Sequence, residues 1–114
     1  MVQLRAAMPG AVLWRIEDKF SGGRPDILVI WRGKVAGVEV KMDRPSRKGK
    51  REPLQALTLQ RLEKAGAYAY WLVYYPNGAK LERWNAALVW SLAGASHAPH
   101  REIARTLANL MNPC

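Results

Sequence analysis

Short apolar runs alternate with turn residues along the chain, and no repeat or low-complexity tract interrupts them. Residues 11–20 mix apolar and charged positions and fit either a strand or a short helix. Ser21-Gly22-Gly23 breaks the chain, and Pro25 opens the next element. Ile27-Leu28-Val29-Ile30-Trp31 is strongly β-prone, Arg32-Gly33-Lys34 signals a turn, and residues 35–42 form a second strand. The pair reads as a β-hairpin. Residues 43–52 carry no apolar side chain beyond Pro45 and read as a mobile loop. Pro53 suits the first turn of a helix over residues 53–65, stopped by Gly66, with Leu54, Leu57, Leu62 and Ala65 as its buried stripe. Residues 67–75 read as a central strand, Pro76-Asn77-Gly78 as a turn, and residues 80–84 as a short strand. Asn85 can cap a helix that ends near Gly94. Pro99 opens a last helix with Ile103, Leu107, Leu110 and Met111 on one face, stopped before Pro113. The order β-β-β-α-β followed by helices predicts a mixed α/β fold.

Length sets the scale of that fold. The 114 residues make one domain over residues 1–114, and 49% apolar content supplies a core and excludes global disorder. A single cysteine, Cys114, excludes an internal disulfide framework and a cysteine-rich zinc site. No segment is apolar enough to span a bilayer, and nothing at the N-terminus resembles a signal for export. The expectation is a protein without membrane association, located in the cytoplasm (a host's cytoplasm if the source is viral).

Charge adds the first functional clue. Eighteen Lys and Arg stand against nine Asp and Glu, a net charge of +9. That field attracts polyanions, and nucleic acid is the commonest of them. An anionic membrane surface could use the same charge, but no polybasic amphipathic helix stands out.

In so basic a chain, carboxylates inside apolar strands are conspicuous. Within Gly37-Val38-Glu39-Val40-Lys41, period two puts Glu39 and Lys41 on one face and Val38, Val40 and Met42 on the other. A hairpin loop of even length, Gly33-Lys34 or residues 32–35, makes paired positions sum to 67. Asp26 then faces Lys41, and Asp26 and Glu39 become diagonal neighbours about 7–8 Å apart. An odd-length loop would turn Asp26 to the wrong face. Two carboxylates at that reach can hold Mg²⁺, which takes oxygen ligands and keeps several waters. The matching chemistry is metal-assisted phosphodiester hydrolysis, with Lys41 lowering the pKa of the attacking water or neutralising transition-state charge. The plain alternative is an ion pair of Lys41 with Glu39 or Asp26 on a solvated strand face.

These residues also carry a resemblance. Gly23-Arg24-Pro25-Asp26, twelve further residues and then Glu39-Val40-Lys41 resemble the core signature of the PD-(D/E)XK nuclease superfamily. The order Gly-x-Pro-Asp, hairpin, Glu-Val-Lys, polar loop and a helix bearing Gln55 is similar to its VRR-NUC family. Glu17, nine residues before Asp26, resembles that pattern's upstream acidic residue, although Asp18 adjoins it. The resemblance spans about residues 14–75 and implies a restriction-endonuclease-like mixed β-sheet with flanking helices. It further implies a DNA endonuclease in which Asp26, Glu39 and the Val40 carbonyl bind Mg²⁺ or Mn²⁺ and Lys41 assists the attacking water. Gln55 and Glu17 complete the site. Small standalone members of the family imply a homodimer that cuts branched DNA such as four-way junctions, whose two-fold axis would relate two incisions.

Other features weigh less. Arg44, Arg47, Lys48, Lys50 and Arg51 place five cations in eight residues, either a solvated loop or an arm that contacts phosphates beside the site. The five Trp and four Tyr residues could stack on bases, but they sit in apolar runs that suit a core or a dimer interface. His97, His100 and Cys114 make a poor metal set. The competing function classes are a non-catalytic basic DNA-binding module that keeps the nuclease fold and a basic RNA-binding or assembly factor. Binding alone has no use for carboxylates beside a phosphate, and the hairpin chemistry is unexplained by the last.

Overall fold

A computed structural model describes residues 2–16, 25–43, 52–93 and 99–112. Its elements are α1 (Val2–Ala7), β1 (Val12–Arg15), β2 (Ile27–Trp31), β3 (Lys34–Met42), α2 (Pro53–Lys64), β4 (Tyr68–Tyr75), β5 (Gly78–Glu82), β6 (Leu88–Ala93) and α3 (Pro99–Met111). The six strands form one sheet whose spatial order equals the chain order. Only β3 and β4 pair in parallel, because α2 carries the chain from one to the other; every other pair is antiparallel. This mixed sheet flanked by helices is the expected α/β architecture. Among the described residues no helix is long and apolar enough to cross a membrane.

Both faces of the sheet are covered. One face packs Leu13, Val29, Val38, Leu72 and Leu81 against α3 through Ile103, Leu107 and Met111, with Met8 beyond α1. The other packs Ala69, Trp71 and Val73 beneath Leu59 of α2. Strand alternation therefore puts Val38 on the α3 side and Glu39 on the α2 side, under a helix rather than in solvent.

The β2–β3 hairpin turns on two residues, the shorter of the loop lengths considered from the sequence, but one position earlier in the chain. Arg32 (φ 52°) and Gly33 (φ 76°) form a two-residue turn with two left-handed residues, the type that matches strand twist. The Arg32 guanidinium lies 4.5 Å over the Trp31 ring. Ile27 therefore pairs with Val38, and paired positions sum to 65 rather than 67. The loop is still even, so Asp26 keeps the face of Glu39. In this register, however, the position opposite Asp26 is Glu39, not Lys41.

Two further expectations are corrected, and one unassigned segment gains an element. The helix placed after Asn85 is strand β6: Asn85 accepts a hydrogen bond from the Ala87 amide at 3.1 Å, and Ala86 turns the chain with φ 66°. Asn serves such a turn as readily as a helix cap. In α2, Leu54 and Leu57 are exposed, as is Ala65, while Leu59 is the fully buried side chain. Residues 2–7, unassigned from the sequence, form α1.

Candidate active site

The site forms where β2 ends. Asp26 sits one residue before that strand, and its carbonyl accepts the Ile16 amide at 2.8 Å. Its carboxylate does what a further strand residue would have done, accepting the Val40 amide at 2.8 Å. A strand residue directs its N–H and C=O to the same side. The Val40 carbonyl therefore leaves β3 toward Asp26, past the end of the β2 ladder.

Glu39 is only 3% exposed, and a buried carboxylate is costly unless it is paired or protonated. Its pKa is raised to about 8. Burial is the main cause, followed by the charge of Asp26 and a hydrogen bond between the two side chains; Lys41 opposes the shift. Burial and the neighbouring charge thus favour the protonated form of Glu39 when no metal is bound.

Helix α2 completes the arrangement. Gln55 donates from Nε2 to Glu39 Oε1 at 2.7 Å. A side chain at Gly37 would place Cβ 2.7 Å from Leu62 Cδ1 and 3.4 Å from Pro25 Cγ, so this glycine lets the helix approach. With Leu62 over Gly37 and Gln55 over Glu39, α2 runs against the direction of β3 and turns its N-terminus toward Lys41. Arg83 pairs with Glu63 and fixes the other end of the helix to the turn after β5. Lys41 is half-buried, with Nζ 5.8 Å from the centroid of the Trp71 ring.

The donor set suits a hard divalent cation. Asp26 and Glu39 offer adjacent carboxyl oxygens, and a cation bound there would favour the ionised form of Glu39. The Gln55 Oε1 atom is buried and has no hydrogen-bond partner among the described residues, so it could accept from a further ligand such as a water. No group of three or more His, Cys, Asp and Glu gathers among the described residues, so two carboxylates are what they contribute. Glu17, with Asp18, lies outside the described residues, as do Arg44, Arg47, Lys48, Lys50 and Arg51. His100 is engaged elsewhere, with Nδ1 3.1 Å from the Tyr74 hydroxyl.

Sequence reasoning missed a second acid–lysine pair on the same face. Glu82 is 4% exposed, and Lys80 Nζ lies 2.9 Å from its Oε2. Because Trp71 pairs with Glu39 on one side and Glu82 on the other, the two acids flank it. The alternation Lys80-Leu81-Glu82 was visible, but not its place beside β4.

Comparison with known proteins agrees with this architecture. No protein-family model matches the sequence, and no curated protein is similar to it in sequence. Among solved structures, a VRR_NUC domain is 29% identical, with a TM-score of 0.47 over 65% of this chain and 74% of that one. The Holliday junction resolvase Hjc of Archaeoglobus fulgidus, an archaeal hyperthermophile, is 19% identical. It superposes with a TM-score of 0.50 over 90% of this chain and 87% of its own. The restriction-endonuclease-like fold expected from Asp26, Glu39 and Lys41 is the fold this chain adopts.

Proposed function

We propose that this protein is a divalent-metal-dependent endonuclease that hydrolyses phosphodiester bonds in branched DNA such as four-way junctions. The observation that carries the reading is the buried Glu39 carboxyl beside half-buried Asp26, the two braced by Gln55 and the Val40 amide and flanked by Lys41. A structural ion pair would have no need of a buried, protonated carboxyl beside an unpartnered amide oxygen. The fold shared with a Holliday junction resolvase supports branched DNA as the substrate.

Asp26, Glu39 and the Val40 carbonyl would hold Mg²⁺ or Mn²⁺, with Glu17 as a further carboxylate. When bound, the ion polarises the scissile phosphate and acidifies a water. Gln55 Oε1 would accept a hydrogen bond from the attacking water and orient it. The Lys41 ammonium offsets the negative charge that builds on the phosphate oxygens. The cations from Arg44 to Arg51 contact neighbouring phosphates. The chain acts as a homodimer, so that two sites meet two strands of a symmetric junction.

The experiment is cleavage of four-way junctions, linear duplex and supercoiled DNA with Mg²⁺ or Mn²⁺, against an EDTA control. Metal-dependent incision of the junction is expected. Tight binding without incision in either metal would sink the reading and favour a non-catalytic DNA-binding module.

A further inference from the structure

We infer that Trp71 is the positioning residue for Lys41, an inference that rests on the proposed role of Lys41 in phosphodiester hydrolysis. Trp71 is fully buried at the centre of β4. Its indole Nε1–H donates to the Trp84 carbonyl at 3.1 Å, which fixes the ring against rotation. The face of that ring meets the Lys41 ammonium, with Nζ 5.8 Å from the centroid, inside the range in which an aromatic quadrupole attracts a cation.

Position in the sheet makes this contact more than packing. Trp71 is the register partner of Glu39, and Lys41 is the partner of Val73, so Trp71 and Lys41 are diagonal neighbours on the α2 face. Lysine has a flexible stem and a point charge with no preferred direction, so its aim must come from its surroundings. Lys41 has Glu39 two residues before it on its own strand and Asp26 at the end of β2, while the residue across β4 from it is Lys80, paired with Glu82. Trp71 is the register neighbour of Glu39, so an ammonium seated on its ring is held beside that carboxyl. Truncating the ring removes the cation's seat and leaves the flexible stem without an aim.

The test compares Trp71→Phe and Trp71→Leu with Lys41→Ala and the double variant Trp71→Leu/Lys41→Ala. In the unaltered protein, the Lys41 ε-methylene should show an upfield ring-current shift by NMR, reduced in Trp71→Phe and lost in Trp71→Leu. Single-turnover cleavage with Mn²⁺ should fall about tenfold in Trp71→Leu, with DNA affinity measured in EDTA unchanged, while Trp71→Phe keeps most of the rate. In the Lys41→Ala background, Trp71→Leu should cost nothing further. Should Trp71→Leu fail to fold, Trp71→Phe still carries the test through its partial ring-current shift. An ε-methylene at its ordinary position in the unaltered protein overturns the inference, as does a Trp71→Leu penalty of equal size with and without Lys41. A protein that shows the shift but cleaves no DNA would overturn the nuclease reading and uphold the contact.

Discussion

Gln55 and Glu39, sixteen residues apart, meet at 2.7 Å, and this contact ties helix α2 to the strand that carries the acid and the lysine. It uses only one end of the amide. The other end, Oε1, is buried without a partner among the described residues, although a buried polar atom normally finds one. A helix pinned this way covers the Glu39 carboxyl and, in the proposed mechanism, would also supply an acceptor for a water.

The first prediction concerns stability and pH. Glu39 titrates near 4.5 in the unfolded chain and near 8 in the folded, metal-free protein. Between those values the folded state holds the extra proton, so the contribution of Glu39 to stability is fullest below about pH 4.5 and declines as pH rises toward 8. Glu39→Gln keeps an acceptor for Gln55 and removes the titration. In EDTA, its Tm should gain on the unaltered protein as pH rises from 5 to 8, by an amount of order a few kcal/mol in stability. A gap that stays constant across that range would mean Glu39 is ionised in the folded protein.

Metal and cleavage follow from the same pair. Asp26→Ala and Glu39→Ala should each abolish incision and leave DNA binding near its original strength or tighter, since both carboxylates repel phosphate. Lys41→Ala should bind metal normally and cleave about 10²–10³ times more slowly. Titration calorimetry in two buffers of different ionisation heat should show close to one proton released per Mn²⁺ at pH 7, absent in Asp26→Ala. Incision by Glu39→Ala at the original rate would remove Glu39 from the mechanism.

Much of this site was legible before any coordinates. Period two placed Glu39 and Lys41 together and Val38 opposite, and loop parity placed Asp26 with them. Pro53 and Gly66 bounded the helix that brings Gln55 to the site. The register slipped by two because Arg32, a residue that rarely takes positive φ, does so here against Trp31. Leu54 and Leu57 misled because a leucine does not report which way a helix is turned; contact with β4 selects Leu59 and Ala56 instead. Trp71 was invisible as a site residue, because its place depends on the parallel pairing of β3 with β4, which no local pattern encodes.

Assembly gives the third prediction. Residues 84–100 contain no Asp, Glu, Lys or Arg, and within them β6 lies at the edge of the sheet. Leu88 is 61% exposed there and Val89 37%, on an edge with free strand-pairing capacity. Sedimentation should find a dimer at micromolar concentration, and Leu88→Lys with Val89→Lys should give a folded monomer. A monomer for the unaltered protein, with and without junction DNA, would count decisively against the dimer.

The last prediction concerns the cations from Arg44 to Arg51, which follow directly after the strand of Glu39 and Lys41 and precede the helix of Gln55. Both of their chain neighbours, Asp43 and Glu52, adjoin elements that build the site. Each phosphate neutralised releases counterions, so log K falls with log salt by about 0.9 per contact on duplex DNA. Replacing Arg47, Lys48, Lys50 and Arg51 with Ser should weaken binding to all sequences alike and flatten the salt slope by about two to four units. Thermal unfolding should hardly move, because the segment has no apolar side chain beyond Pro45 to bury. If the slope in the quadruple variant is unchanged, the segment is a solvated connector. The phosphate footprint must then lie on another surface, and Arg101 and Arg105, both exposed on α3, are the cations to replace next.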